Sequence, residues 1–173
     1  QKELQASHDE LEQKVLDRTR ELNAANQELK IEIDSRIGME NEIRKLAYYD
    51  HLTGLSNKKM FIDYVNRIIA ENRDSHFSMA ILYLDLDSFK IINDTLGHAK
   101  GDELLKLVSE RLVSTIQMSD PIARVGGDEF LVLVQNNADE NSVGIIANRL
   151  NEAFRKQFDI SGNEVYVTAS IGV

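Results

Sequence analysis

Phe77-Ser78-Met79-Ala80-Ile81-Leu82-Tyr83-Leu84-Asp85-Leu86-Asp87 is the stretch on which the fold turns. Its apolar run from Phe77 to Asp85 has the length of a strand rather than a helix, and its continuity predicts a strand buried on both faces. The run ends in Leu84-Asp85-Leu86-Asp87, where the period of two puts both carboxylates on one side. Two like charges that close call for a cation.

Working outward, Ile122–Val125 and Glu129–Gln135 are predicted as two short strands around Gly126-Gly127, the arrangement of a tight hairpin. The turn Gly126-Gly127-Asp128-Glu129 adds two more carboxylates where glycine lets a ligand approach the backbone. If this hairpin lies beside the first strand, Asp85 and Asp128 can hold the same hard, oxygen-ligated ion, with magnesium the best candidate and manganese an alternative. Magnesium held by few carboxylates completes its shell with water and substrate phosphates, which points to a nucleoside triphosphate. Either piece alone is more often a solvated strand end or a simple turn. Six of the nine glycines (Gly54, Gly97, Gly101, Gly126, Gly127 and Gly172) nevertheless fall in such segments, so the backbone freedom is concentrated.

Around these motifs the pattern predicts helices over Asn57–Arg73, Ser88–Leu96 (ended by Gly97), Gly101–Gln117 and Asn141–Phe158, with a closing strand over Glu164–Gly172. Leu104, Leu105, Val108, Leu112 and Ile116 form the inner face of the third of these helices. The order α-β-α-α-β-β-α-β makes an α/β domain whose helices should cover one face of a mainly antiparallel sheet.

Residues 1–47 read differently. They hold no proline, no aromatic residue and one glycine, Gly38, so nothing forces the chain out of a helix roughly 70 Å long. Leu4, His8, Leu11, Val15, Arg18, Leu22, Ala25 and Leu29 alternate by three and four, a coiled-coil seam with two polar interruptions. Ile33 and Ile37 follow by four and four, a stutter that lets two packings lie close in energy. The expected organisation is a dimerising signalling helix over 1–47 and a globular domain over 48–173; the alternative is a solvated helix folded back on that domain.

Composition bounds the function. With 42% hydrophobic residues the chain can fill a core, and a net charge of -9 argues against nucleic acid or anionic membranes as partners. There is no cysteine, which removes disulfides and thiolate chemistry and suits a cytoplasmic setting. No apolar run approaches the roughly 20 residues that span a bilayer.

The motifs, taken in order, resemble those of GGDEF domains: Asp50-His51-Leu52-Thr53-Gly54-Leu55-Ser56-Asn57, Asp85-Leu86-Asp87-Ser88-Phe89-Lys90 with Asn93-Asp94 and Gly97-His98, Gly101-Asp102, Ala123-Arg124-Val125-Gly126-Gly127-Asp128-Glu129-Phe130, and Ser170-Ile171-Gly172-Val173. The resemblance runs from about Tyr48 to the last residue. It implies a palm-like α/β domain, a mainly antiparallel central sheet flanked by helices, and condensation of two GTP into cyclic di-GMP with release of two pyrophosphates. By matching position, Asp85 and Asp128 would bind magnesium with help from the Leu86 carbonyl. Asn93 and Asp102 would read the guanine edge, a division that suits an amide beside a carboxylate. Glu129 would be a second metal ligand or the acceptor of the ribose 3'-hydroxyl proton. Gly126 and Gly127 would let the nucleotide lie on the turn, with the backbone of Ser88, Phe89 and Lys90 near the phosphates.

Simpler roles stay open: Asn93 could cap a turn, Asp102 could be an early-helix carboxylate favoured by the dipole, His98 could bond a backbone carbonyl, and Lys58 and Lys59 could be a solvated helix start. The resemblance also implies a homodimer, because each domain carries one GTP, and an upstream sensory domain joined by the helix. A binding module that regulates a neighbouring phosphodiesterase domain is the rival reading. The family pattern continues beyond Val173 into a helix carrying phosphate-binding cations, so the domain is expected to lack its C-terminal end.

An inhibitory Arg-x-x-Asp motif of the family aligns with Gln117 and Asp120. Glutamine lacks the charged fork that arginine offers a phosphate, so product feedback is expected to be weak. Calorimetry with cyclic di-GMP should find no tight site there; nanomolar binding at Asp120 would contradict the expectation.

Overall fold

The computed structural model describes residues 2–73, 77–116, 120–135 and 139–173. The chain divides into two compact units, Gln1–Arg44 and Lys45–Val173.

The first unit belongs to one helix, α1 (Lys2–Tyr48). Lys14–Glu10 at 2.7 Å, Arg18–Glu21 at 3.1 Å and Arg36–Glu32 at 3.7 Å stitch successive turns. Such exposed pairs add only a few tenths of a kcal/mol each. Leu11, Val15, Leu22 and Leu29 of the expected seam are all exposed; the side chain of Leu4 lies outside the described residues. A helix with its apolar stripe in water gains little from packing. Among the described residues no helix is long and apolar enough to cross a membrane.

The second unit is built on a five-stranded sheet of β1 (Ser56–Asn57), β2 (Met79–Leu86), β3 (Ile122–Gly126), β4 (Glu129–Gln135) and β7 (Ala169–Gly172). The spatial order is β1-β3-β4-β2-β7, antiparallel except for the β1–β3 pair. A separate hairpin pairs β5 (Phe158–Ile160) with β6 (Asn163–Val165). The helices are α2 (Lys58–Glu71), α3 (Phe89–Leu96), α4 (His98–Thr115) and α5 (Glu140–Phe154).

Alternation along β2 and β4 separates two cores. Leu82, Leu84, Leu86, Phe130, Val132 and Val134 face the main one with Leu104, Leu105, Val108 and Leu112 of α4, Leu150 and Phe154 of α5, and Phe89 of α3. Ala123 and Leu133 face the other way, against Phe61 of α2. Helices therefore lie on both faces, not on one as the element order predicts. The expectation that β2 is buried on both faces also fails. On its second face α2 reaches the strand only at Met79, so Ile81 is 38% exposed and Tyr83 41%.

Two boundaries shift for identifiable reasons. Gly97, at φ +88, both stops α3 and precedes α4, which begins at His98 rather than Gly101. The predicted helix over Asn141–Phe158 ends at Phe154, and Phe158 opens β5. Arg111 of α4 stops it by donating to the backbone oxygens of Ala153 at 3.3 Å, Lys156, and Gln157 at 2.8 Å, the carbonyls a helix end leaves open. Its guanidinium also stacks 3.4 Å from the Phe158 ring centroid. The expected closing strand Glu164–Gly172 is broken into β6 and β7. Its first part pairs back on β5 through a turn with Ser161 at φ +50 and Gly162 at φ +85, the geometry of a two-residue hairpin loop.

Arg111→Ala removes three charge-assisted hydrogen bonds and a cation–π contact, so it should cost about 2–3 kcal/mol in urea denaturation. A loss below about 0.5 kcal/mol, the scatter of an ordinary surface change, would contradict this role.

Candidate functional site

The antiparallel register sets Tyr83 opposite Leu131, Leu84 opposite Phe130, and Asp85 opposite Glu129. Because Leu82, Leu84 and Leu86 take the main core, Tyr83, Asp85 and Glu129 share the other face at the end of the β2–β4 pair. Gly126 pairs with Glu129, which leaves Gly127-Asp128 as the turn, and Gly127 stands at φ +48. The backbone N–H of Leu86 donates to the carbonyl of Asp128 at 3.3 Å, tying the turn to the strand end. Asp85, Asp128 and Glu129 are thus gathered by backbone pairing.

Like charges directly opposite each other on a sheet destabilise it. The cost is visible at Asp85, whose carboxyl is pushed up by burial and then by the charges of Asp128, Glu129 and Asp87. A hydrogen bond to Glu129, then burial, then the charges of Glu129, Asp85 and Asp128 raise the Tyr83 phenol to about 12. Among the described residues no three His, Asp or Glu side chains converge as a ready cage. Magnesium does not need one: it takes one or two carboxylates and fills its shell from water and phosphate oxygens. A crowded acidic strand end that a cation would relieve fits that mode of binding.

The turn has a support that reasoning from the sequence missed. Arg124 donates from Nε and Nη2 to the Gly127 carbonyl at 2.9 and 2.8 Å, and from Nη1 to both carboxylate oxygens of Asp50 at 2.9 and 3.1 Å. Asp50 also accepts from the backbone N–H and hydroxyl of Thr53, at 2.9 and 2.6 Å. Burial pushes the Asp50 carboxyl up, but the hydrogen bonds from Thr53 and Arg124 outweigh it and hold it below its ordinary value. Asp50 and Arg124 were visible only as members of two motifs; their pairing across 74 positions has no local signal.

Asp87 does not share the need for a cation that its position beside Asp85 suggests. It accepts from the hydroxyls of Thr168 at 2.5 Å and Ser170 at 2.7 Å, which lower its pKa. Beyond it, Ser88 adopts a left-handed backbone at φ +61 and leads into α3. The Phe89 ring belongs to the main core, so only its backbone is open to a ligand, while Lys90 is exposed.

On the α3–α4 pair, Asn93 packs over Gly101 so closely that a Cβ there would lie 1.9 Å from its Oδ1. Among the described residues that oxygen is the one buried side-chain polar atom without a hydrogen-bond partner. Among the described residues that oxygen caps no turn, and an unsatisfied buried acceptor costs about 1–3 kcal/mol. Asp102 follows Gly101, exposed and one turn inside α4 rather than in its first turn. His98 is exposed at the first residue of α4. Lys58 and Lys59 are exposed at the start of α2, with the Lys59 ammonium 5.1 Å from the Tyr48 ring centroid. Asp120 is half-buried, and burial pushes its carboxyl up against smaller opposing effects of the Gln135 backbone and Arg149; Gln117 lies outside the described residues.

Residues 47–173 match the family described as "Diguanylate cyclase, GGDEF domain". The chain is 41% identical over 131 residues to the cyclic di-GMP phosphodiesterase NbdA of Pseudomonas aeruginosa, covering 76% of this chain and 17% of that protein. In structure it resembles the GGDEF domain of TpbB (YfiN) from Pseudomonas aeruginosa, with TM-score 0.69 and 34% identity over 72% of this chain and 73% of that one. It also resembles the coiled coil and GGDEF domain of DgcB from Caulobacter crescentus in complex with c-di-GMP, with TM-score 0.78 and 25% identity over 87% and 81% of the two chains.

A carboxyl raised in the folded state costs stability in full above its folded midpoint, and the cost fades as pH falls through that midpoint. Asp128→Asn removes part of the repulsion, so the Asp85 midpoint should drop in a carboxyl-carbon NMR titration, and stability at neutral pH should rise. An unchanged or higher midpoint would contradict the coupling.

Proposed function

The chain belongs to the GGDEF domain family, and on that premise we propose that it is a diguanylate cyclase, condensing two GTP into cyclic di-GMP and two pyrophosphates under the control of stalk-mediated dimerisation. The observation that carries this reading is the set of three carboxylates, Asp85, Asp128 and Glu129, brought to the β2–β4 end by strand pairing, where burial and then the charges of its neighbours push Asp85 up. A site kept for binding alone has no use for that repulsion.

In this reading Asp85 and Asp128, with the Leu86 carbonyl, hold magnesium beside the triphosphate. The ion, when bound, supplies neutralisation of phosphate charge and polarises the reacting phosphoryl group. Glu129 either completes the metal shell or accepts the proton of the ribose 3'-hydroxyl as it attacks the α-phosphate of the second GTP. Gly126 and Gly127 carry no side chain that would hold the nucleotide off the turn, and Arg124 fixes the turn's shape through the Gly127 carbonyl. Asn93 and Asp102 read the guanine; the orphaned oxygen of Asn93 is an acceptor the fold itself does not use. The backbone of Ser88, Phe89 and Lys90 lies along the phosphates.

Two identical substrates joined into a two-fold product ask for two sites face to face. The exposed stripe of Leu11, Val15, Leu22 and Leu29 suits a second copy of α1, and such pairing would bring two loaded domains together. An upstream sensory domain acting through that helix and a cytoplasmic setting complete the proposal. The kinship with NbdA, a phosphodiesterase by name, favours one second reading: a GTP-binding module that regulates a neighbouring domain without turnover.

The full-length protein, given GTP and magnesium, should form cyclic di-GMP detectable by chromatography, and Asp128→Ala should reduce the rate by about a thousandfold, as loss of a transition-state charge contact does. Equal product from the variant would overturn the cyclase mechanism. GTP binding without product in the wild type would favour the regulatory module.

A further inference from the structure

Asp87 follows β2 by one residue, in the acidic cluster, yet its surroundings differ from those of Asp85. Two hydroxyls from one strand region, Thr168 Oγ1 and Ser170 Oγ, donate to its two carboxylate oxygens, one each. Its backbone N–H donates to the Thr168 carbonyl at 3.0 Å, so main chain and side chain are gripped from the same direction. A carboxylate whose oxygens both accept such bonds is anchored and has less to offer a cation.

The next residue explains what the anchor is for. Ser88 is one of two non-glycine residues with positive φ among the described residues, and a left-handed backbone costs an ordinary L-residue roughly 1–2 kcal/mol. Such a conformation persists where its surroundings over-determine it. On one side of Ser88 stands the gripped Asp87; on the other, the amides of Ile91 and Ile92 donate to the Ser88 carbonyl at 2.9 and 3.3 Å. Ser88 itself has no side-chain cap bond, which leaves the backbone on either side of it to hold the turn.

We propose that Asp87 is a positioning residue rather than a metal ligand: gripped by Thr168 and Ser170, it holds the left-handed turn at Ser88 and thereby sets the Ser88–Lys90 backbone for the phosphates of the nucleotide. The phosphate half of this inference rests on the proposed function; the mechanical half does not. The pattern Thr168-Ala169-Ser170 ahead of the chain's last residues then has a task, since Ala169 points into the core while its two neighbours reach the turn.

The test is the pair Thr168→Val and Ser170→Ala, which removes both hydroxyls at exposed positions and leaves Asp85, Asp128 and Glu129 in place. In the nucleotide-free protein, hydrogen exchange at the amides of Ile91 and Ile92 should speed up by roughly tenfold while the amides of β2 keep their rates. In calorimetry with magnesium, GTP should bind roughly tenfold more weakly to the double variant, whereas guanosine, which has no phosphates, should bind as to the wild type. Thr168→Ser, which keeps the donor, should restore its share of both effects. Unchanged exchange at Ile91 and Ile92, or GTP and guanosine weakened in parallel, would overturn the inference. A wild type that binds no GTP would instead overturn the proposed function, and the exchange readout would still decide the clamp.

Discussion

Everything in the candidate site depends on one constraint, the register of β2 against β4. Leu82, Leu84, Phe130 and Val132 must face the main core, and once they do, Asp85 and Glu129 have no choice but to stand opposite each other. Burial of those four side chains is worth on the order of 6–10 kcal/mol, far more than the carboxylate repulsion costs. A shift by one residue would turn every core side chain to the other face. The hydrophobic core therefore enforces an electrostatic arrangement that the carboxylates would not adopt unaided.

Around that pair the chain adds supports drawn from distant segments. Arg124 links the turn carbonyl at Gly127 to Asp50, two residues past the end of α1, while Thr168 and Ser170, just before and within β7, secure Asp87. Gly101 gives Asn93 a place that no other residue would leave open. None of these supports contributes charge to the reacting centre. Each fixes a backbone or amide whose position the chemistry would use, and Phe61 of α2 packs on β3 and β4 through Ala123 and Leu133.

Much of this was legible from residues close in sequence. The Leu84–Asp87 stretch and the Gly126–Glu129 turn are local patterns that already mark their carboxylates, and the unbroken helix of α1 follows from the lack of helix breakers over 1–47. What escaped notice was carried by contacts between remote positions. The Asp50–Arg124 pair and the Thr168 and Ser170 hydroxyls on Asp87 have no signature in either partner's neighbourhood. The sequence carries α5 too far because Arg155, Lys156 and Gln157 are good helix formers, and it is Arg111, from another helix, that takes the carbonyls of Lys156 and Gln157. The two-sided burial expected for β2 failed because an unbroken apolar run does not say how far a helix will reach across a sheet.

On the proposed function, Asp85, Leu86 and Asp128 form one cation site beside a bound triphosphate. It is tested most directly by replacing magnesium with manganese and recording paramagnetic broadening of amide signals in the presence of GTP. Broadening should centre on Asp85, Leu86 and the Gly127-Asp128 turn, depend on GTP, and weaken in Asp85→Asn. Broadening centred elsewhere, or spread evenly over the acidic surface and indifferent to GTP, would contradict it.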